Sequence, residues 1–277
     1  MSGIAARFTE LRGRGEGALI AFITAGDPRP SLTPRMARAL LEHADMLELG
    51  IPFSDPIADG PSIQAASERA LSAGTTPETV LDIIERIRRA SEKPIVVLSY
   101  YNIVFKFGVE RFARVLAEAG GDGLIVPDLP AEESAEVARA ARKRGLDLIL
   151  LASPTTTPER MRLICELSSG FLYLVSLLGV TGARERLSSE VRGLVARARS
   201  SSKGELPLAV GFGISRPEHV REVLACGADG AIVGSAFVDI VAKHRDDGRR
   251  MLRELSELAK AMKEATRLEH QLQRFPS

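Results

Sequence analysis

Two acidic residues stand where an acid needs a reason to be. Glu48 interrupts the apolar run Met46-Leu47-Glu48-Leu49, and Asp59 follows eleven positions later in Ala58-Asp59-Gly60-Pro61. A carboxylate in an apolar strand is costly to bury unless it is paired or used. Desolvation raises its pKa, which suits a general acid working near neutrality. Each acid also has a plainer use: Glu48 in an internal salt bridge, Asp59 as a turn or helix-capping aspartate. Glycine-containing turns strengthen the chemical reading. Gly211-Phe212-Gly213-Ile214-Ser215 and Gly234-Ser235 each follow a short apolar run. Glycine lets backbone amides approach an anion closely. The short helix expected at Ser235–His244 adds free N–H donors and the positive end of its dipole. One such glycine would only make a turn, but both turns with the helix describe a phosphate cradle. Gly179 and Gly182 offer further amides.

Other candidates have simpler readings. Asp27 is expected to cap the first helix, and Asp55 to be a structural or interface residue. His219 and His244 read as surface residues, and no histidine falls in an expected loop beside the acids. No metal-ligand spacing is present, so no metal is assigned. Cys165 and Cys226 lie in apolar helical segments and read as core packers of a reducing compartment.

These side chains must be positioned by a scaffold, and the chain alternates short apolar runs with longer amphipathic stretches. Eight strands are expected: Leu19–Thr24, Met46–Leu49, Ile95–Ser99, Gly123–Val126, Asp147–Leu151, Phe171–Val175, Leu208–Gly211 and Gly230–Val233. Most are continuous apolar runs, as strands covered on both faces require. Between them lie helical patterns such as Arg111–Ala119, Ala131–Arg144, Pro158–Leu167, Glu190–Arg199 and Pro217–Ala225, with a long last helix over Met251–Gln271. Eight strand–helix units in 277 residues fit a closed (β/α)8 barrel. No G-x-G-x-x-G follows the first strand, which argues against an open dinucleotide-binding sheet. Ile4–Leu11 adds an extra N-terminal helix, and Ser235–His244 a short extra helix after the eighth strand. No linker divides residues 1–277, so one domain is expected. The loops after the second and sixth strands are long, and both open at the end where barrels keep their active sites.

Lys and Arg number 37 against 36 Asp and Glu, a balance that gives no electrostatic argument for nucleic acid or an anionic membrane. No signal-peptide pattern or membrane-length apolar run is visible, and a cytoplasmic location is expected.

The stretch Glu48-Leu-Gly-Ile-Pro-Phe-Ser-Asp-Pro-Ile-Ala-Asp-Gly-Pro61 resembles the signature of the tryptophan synthase alpha subunit family, whose two catalytic acids lie eleven apart. Tyr173–Ser176 with Gly179-Val-Thr-Gly182 is similar to that family's sixth strand and mobile loop. Val210–Ser215 and Gly234-Ser235 are similar to its phosphate site. The resemblance implies cleavage of indole-3-glycerol phosphate to indole and glyceraldehyde 3-phosphate. It implies that Glu48 protonates the indole ring and that Asp59 binds the indole N–H. Tyr173 would line the site, and Phe22, Leu98, Ile125 and Ile232 would form an apolar indole pocket. Thr181 would order the mobile loop against Asp59, with Gly182, Phe212, Gly213, Gly234 and Ser235 at the substrate. Leu177-Leu178 stands where some members carry an arginine, which bears on loop gating. No cofactor is implied in this chain. A pyridoxal-phosphate beta subunit is the implied partner, contacting Pro52–Ala58, Asn102–Phe105 and Pro127–Pro130.

Three rival readings share parts of this pattern. Another phosphate-binding barrel isomerase or synthase would share the glycine turns but would want a lysine at a strand end, whereas Lys93, Lys143 and Lys203 lie in helix ends or loops. A regulatory barrel would bind without turnover. A stand-alone lyase would release indole with no partner.

Overall fold

The computed structural model describes residues 2–175, 184–211 and 213–267, with the side chains of 184–188 left aside. Nine short strands form one parallel sheet: β1 Ala18–Thr24, β2 Met46–Gly50, β3 Ile95–Leu98, β4 Gly123–Ile125, β5 Asp147–Ile149, β6 Leu151–Ala152, β7 Leu172–Val175, β8 Leu208–Gly211 and β9 Gly230–Val233. Their order is β5-β4-β3-β2-β1-β9-β8-β7-β6. The two ends of that order, β5 and β6, are separated along the chain by Leu150 alone. They are the single fifth strand of the sequence pattern, which pairs with β4 through its first half and with β7 through its second. The covalent chain therefore closes the ring, and the architecture is the eight-staved barrel.

Side-chain alternation sorts the strands into an inner and an outer face. Ala18, Ile20, Met46, Val96, Ile125, Ile149, Phe171, Tyr173, Ala209 and Ile232 pack in the barrel interior. Leu19, Ala21, Ile23, Leu47, Leu49, Val97 and Leu124 pack outward against the helices. The N-terminal helix Gly3–Gly13 inserts Ile4, Phe8 and Leu11 into the interior cluster, with the Phe8 ring 5.8 Å from that of Phe171. It closes one end of the barrel and leaves the other open.

Several elements differ from the sequence pattern. Asn102–Phe105, a segment of the implied partner surface, lies within the helix Tyr101–Phe107. The Ala131–Arg144 pattern becomes a 3-10 turn, Ala131–Glu133, and a helix, Ala135–Lys143, because buried Ser134 bonds its hydroxyl back to the Ala131 carbonyl. The last helix spans Gly248–Glu264 and stops well short of residue 271. Buried Thr266 ties its hydroxyl to the Lys263 carbonyl, and Arg267 pairs with Glu16 in an antiparallel bridge. His244 is buried, its Nε2 2.8 Å from Glu254 Oε2, because the helix Gly248–Glu264 folds back over the short helix that it ends. Asp27 caps nothing: it accepts two bonds of 2.7 Å from the Arg69 guanidinium, reaching across to the helix Pro61–Ser72. No helix among the described residues is long and apolar enough to cross a membrane.

The closed end carries a repeated device. Asp45, Asp122 and Asp229 each precede a strand, and each accepts an amide from the start of a neighbouring strand at 2.8 Å: Leu19, the second residue of β1, and Ile95 and Leu208, the first of β3 and β8. Each also holds a cation: Arg7 and Lys263 on Asp45, Arg88 on Asp122, Arg199 on Asp229. Strand register is thereby pinned by charge-assisted bonds at the end remote from the open mouth. Breaking a buried ion network by removing one partner leaves charge uncompensated. Asp45→Ala should therefore destabilise the fold by roughly 3–5 kcal/mol, measured by urea denaturation, while turnover of the folded fraction stays at the wild-type level.

Candidate active site

At the open end a cavity of about 250 Å³ is lined by Phe22, Glu48, Asp59, Ile63, Leu98, Pro127, Leu151, Tyr173, Gly213, Ile232, Gly234 and Ser235 among others. Most of its wall is apolar, which suits a flat aromatic ligand with a few fixed polar contacts. The strand register explains the wall. Phe22 pairs with Glu48, and both line the cavity. Glu48 pairs with Val96, yet the wall residue on β3 is Leu98, two steps higher; Leu98 pairs with Ile125, yet on the next strand it is Pro127. This is the stagger that a closed barrel imposes on tilted strands. Ile125, a wall residue by resemblance, consequently packs in the layer beneath. Thr181, Gly182 and Phe212 lie outside the described residues, as does Gly179.

Glu48 points inward because Leu47 and Leu49 face the helices. It is 1% exposed, makes no ion pair among the described residues, and its Oε2 has no hydrogen-bond partner. The salt-bridge use is thereby excluded among those residues. Burial first, then the charge of Asp59, pushes the Glu48 carboxyl up to about 8. Asp59 is half-buried, and burial pushes it up to about 6 against the lowering effect of the Tyr100 hydroxyl. Its carboxylate does not cap a helix: the cap position of Pro61–Ser72 is Gly60, with no side-chain bond. Between these values the pair favours one protonated and one ionised carboxyl, the division that lets one site supply a proton and a fixed negative charge. Tyr173, fully inside, is held well above the ordinary phenol range by burial and then by the two acids.

Tyr100, a residue whose role the sequence pattern did not disclose, reaches this site from the end of β3. Its ring stacks on Phe53 at 5.0 Å, and its hydroxyl accepts the Ala58 N–H at 3.0 Å. The available signal was its place directly after a strand, where barrel chemistry concentrates.

The glycines serve side chains as well as anions. A methyl group on Gly211 would collide with the Tyr173 hydroxyl, and one on Gly50 would sit 2.9 Å from the Phe22 ring. On the far side of that ring, a methyl on Gly234 would come within 3.3 Å. Gly213 has φ +75°, a conformation that favours glycine. Gly234 precedes the helix Ser235–Lys243, and Gly213, Gly234 and Ser235 line the cavity together, beside the helix N-terminus where free amides can meet an anion. Half-buried His219 accepts the Ser215 N–H on Nδ1 at 3.3 Å, so that amide already has a partner. Among the described residues no group of three or more His, Cys, Asp or Glu is arranged to hold a metal ion.

Because Glu48 keeps its proton in the folded chain up to about 8 but ionises near its ordinary 4.5 when unfolded, the folded state binds the extra proton between those values. Stability therefore falls as pH rises through that window. Glu48→Gln removes the effect. Urea denaturation at pH 5 and pH 8 should show the variant gaining on the wild type with rising pH, and a constant difference between the two proteins would contradict a buried carboxyl that keeps its proton.

Comparison with known proteins places this geometry. The family model described as "Tryptophan synthase alpha chain" matches residues 8–267. The tryptophan synthase alpha chain of Methanoregula boonei is 49% identical over 253 residues, covering 91% of this chain and 95% of that one. That of Gloeobacter violaceus is 48% identical, covering 95% and 94%. The solved tryptophan synthase subunit alpha of Legionella pneumophila superposes with a TM-score of 0.88 at 38% identity, covering 96% of this chain and 98% of that one. A structure titled for the tryptophan synthase a2b2 complex of Pyrococcus furiosus superposes with 0.83 at 41% identity, covering 90% and 98%. With a barrel, a two-acid cavity and a family match over nearly its whole length, this chain belongs to the tryptophan synthase alpha chain family.

Proposed function

We propose that the chain cleaves indole-3-glycerol phosphate to indole and glyceraldehyde 3-phosphate, the alpha reaction of tryptophan synthase. The observation that carries this reading is the pair of unequal carboxyls in one apolar cavity: Glu48 protonated and Asp59 ionised near neutral pH. Glu48 gives its proton to C3 of the indole ring, leaving a positive charge over the ring nitrogen. Asp59 accepts the hydrogen bond of that N–H and stabilises the charge where it develops. The glyceryl hydroxyl then loses its proton to the Glu48 carboxylate, and the carbon–carbon bond between ring and side chain breaks. Its electrons return to the ring, restoring indole, while the side-chain carbon becomes the aldehyde. Glu48 ends protonated, as it began.

Phe22, Leu98 and Ile232 hold the ring, and Tyr173 borders it on the side of the acids. Gly213, Gly234 and Ser235 receive the phosphate, with Phe212 between Gly211 and Gly213 in sequence. Thr181 and Gly182, by the family resemblance, complete the substrate contacts. The apolar wall explains why a lone carboxyl can act as an acid there: with little water admitted, its charged form is disfavoured until a proton acceptor arrives.

The partner is a tryptophan synthase beta subunit, the holder of the pyridoxal phosphate. Ile57, 83% exposed, and Phe105, 65% exposed, are large apolar side chains on Pro52–Ala58 and on the helix Tyr101–Phe107. Exposed apolar side chains on these segments suit a docking surface that passes product onward.

The purified chain mixed with indole-3-glycerol phosphate should release indole, faster when a beta subunit is added. Its pH profile should be bell-shaped, rising near 6 as Asp59 ionises and falling near 8 as Glu48 loses its proton. Glu48→Gln should lower kcat by roughly 10²–10⁴-fold with substrate binding nearly unchanged by calorimetry. Binding without indole release from the wild type would move the function to another phosphate-binding barrel activity.

A further inference from the structure

We propose that Tyr100 is a positioning residue for this reaction, its hydroxyl and ring together fixing where the Asp59 carboxylate stands. The inference rests on the reading of Asp59 given above. Asp59 lies in a loop whose Ser54, Asp55 and Ile57 are exposed to solvent. The bonds that the loop makes with its own neighbourhood are short-range: Ile57 N–H to the Asp55 carbonyl, Asp59 N–H to the Pro56 carbonyl, and the Gln64 side-chain amide to the Asp59 carbonyl. None of these sets the loop's position relative to Glu48, which is fixed on β2. Tyr100 does. It is 1% exposed, directly follows Ser99 at the end of β3, and stacks its ring on Phe53 of the same loop with an interplanar angle of 24°. Its hydroxyl then accepts the N–H of Ala58, the residue before Asp59.

A phenol has one proton to give. With the Ala58 amide directed at an oxygen lone pair, that proton stays available to the neighbouring Asp59 carboxylate, whose ionisation the hydroxyl favours. The other titratable groups around Asp59 are Glu48 from β2 and Tyr173 from β7. On its far side Tyr100 feels Asp128, which accepts the Tyr101 N–H at 2.8 Å from the loop after β4. Glu48 and Asp128, both acids, do not favour an ionised Asp59, whereas the Tyr100 hydroxyl does. In the ionised state needed to hold the ring N–H, Asp59 is anchored through one side chain to the rigid sheet.

Tyr100→Phe tests this. It keeps the ring stacked on Phe53 and removes the hydroxyl, leaving the Ala58 N–H without its acceptor and Asp59 without its donor. With the complete chain, alone and with the beta subunit, kcat at pH 7 should fall about 10–100-fold, the worth of a hydrogen bond to a charged group, while KM changes little. The acid limb of the pH profile should move up by about one pH unit, so that activity recovers in part as pH rises. Added to Asp59→Asn, the same change should cost little more, because both act at one carboxylate. Wild-type kcat with an unmoved acid limb would overturn the proposal. So would a loss equal at every pH and additive with Asp59→Asn, the mark of a merely structural role; thermal unfolding confirms that the variant is folded. Wild-type protein that releases no indole would overturn the cleavage reading and this one with it, whereas an active wild type with an unaffected variant overturns the role of Tyr100 alone.

Discussion

A carboxyl group buried without a counter-charge governs the rest of this structure. Glu48 sits on the inner face of a barrel strand among apolar side chains, and the charge that acts on it is that of another acid, Asp59. Such a group is tolerable only while it keeps its proton, so the cavity holds a ready acid near neutral pH. Asp59, nearer to solvent and facing a phenol, takes the opposite state. The difference in surroundings, rather than any difference in residue chemistry, divides the acid and the anion between them.

The two ends of the barrel use the same residue types in opposite ways. At the closed end, Asp45, Asp122 and Asp229 each receive a strand amide and a cation. Those acids are fully engaged, and they hold the strands in register. At the open end Glu48 has an oxygen with no partner among the described residues. A site that must exchange protons with a ligand cannot have its acid tied up in internal bonds, and the stability it forgoes there is supplied by the network at the other end. This is the division of labour that barrel folds show generally, with chemistry at the strand C-termini and stability at the N-termini.

Space in the cavity is made by glycine. The Phe22 ring fits between Gly50 and Gly234, and Tyr173 occupies the volume above Gly211. The glycines near the phosphate turns therefore have two physical causes: close approach of amides to an anion, and close approach of aromatic rings to the strands. Sequence reading found the first and not the second, because a glycine's neighbours across a barrel come from strands far away in the chain.

The sequence by itself determined the periodic pattern, and with it the eight staves, the inward direction of Glu48 and the family signature around it. Alternation within one strand is a local property, so Leu47 and Leu49 facing outward was enough to aim Glu48 inward. Local patterns could not show which wall position each strand contributes, because barrel stagger is a property of the closed ring; Ile125 and Pro127 exchange places for that reason. They could not show that Asp27 pairs with Arg69, 42 residues away, that His244 is covered by a helix folding back on it, or that Tyr100 reaches Asp59. Those relations join groups on different elements, and only the folded chain brings them together.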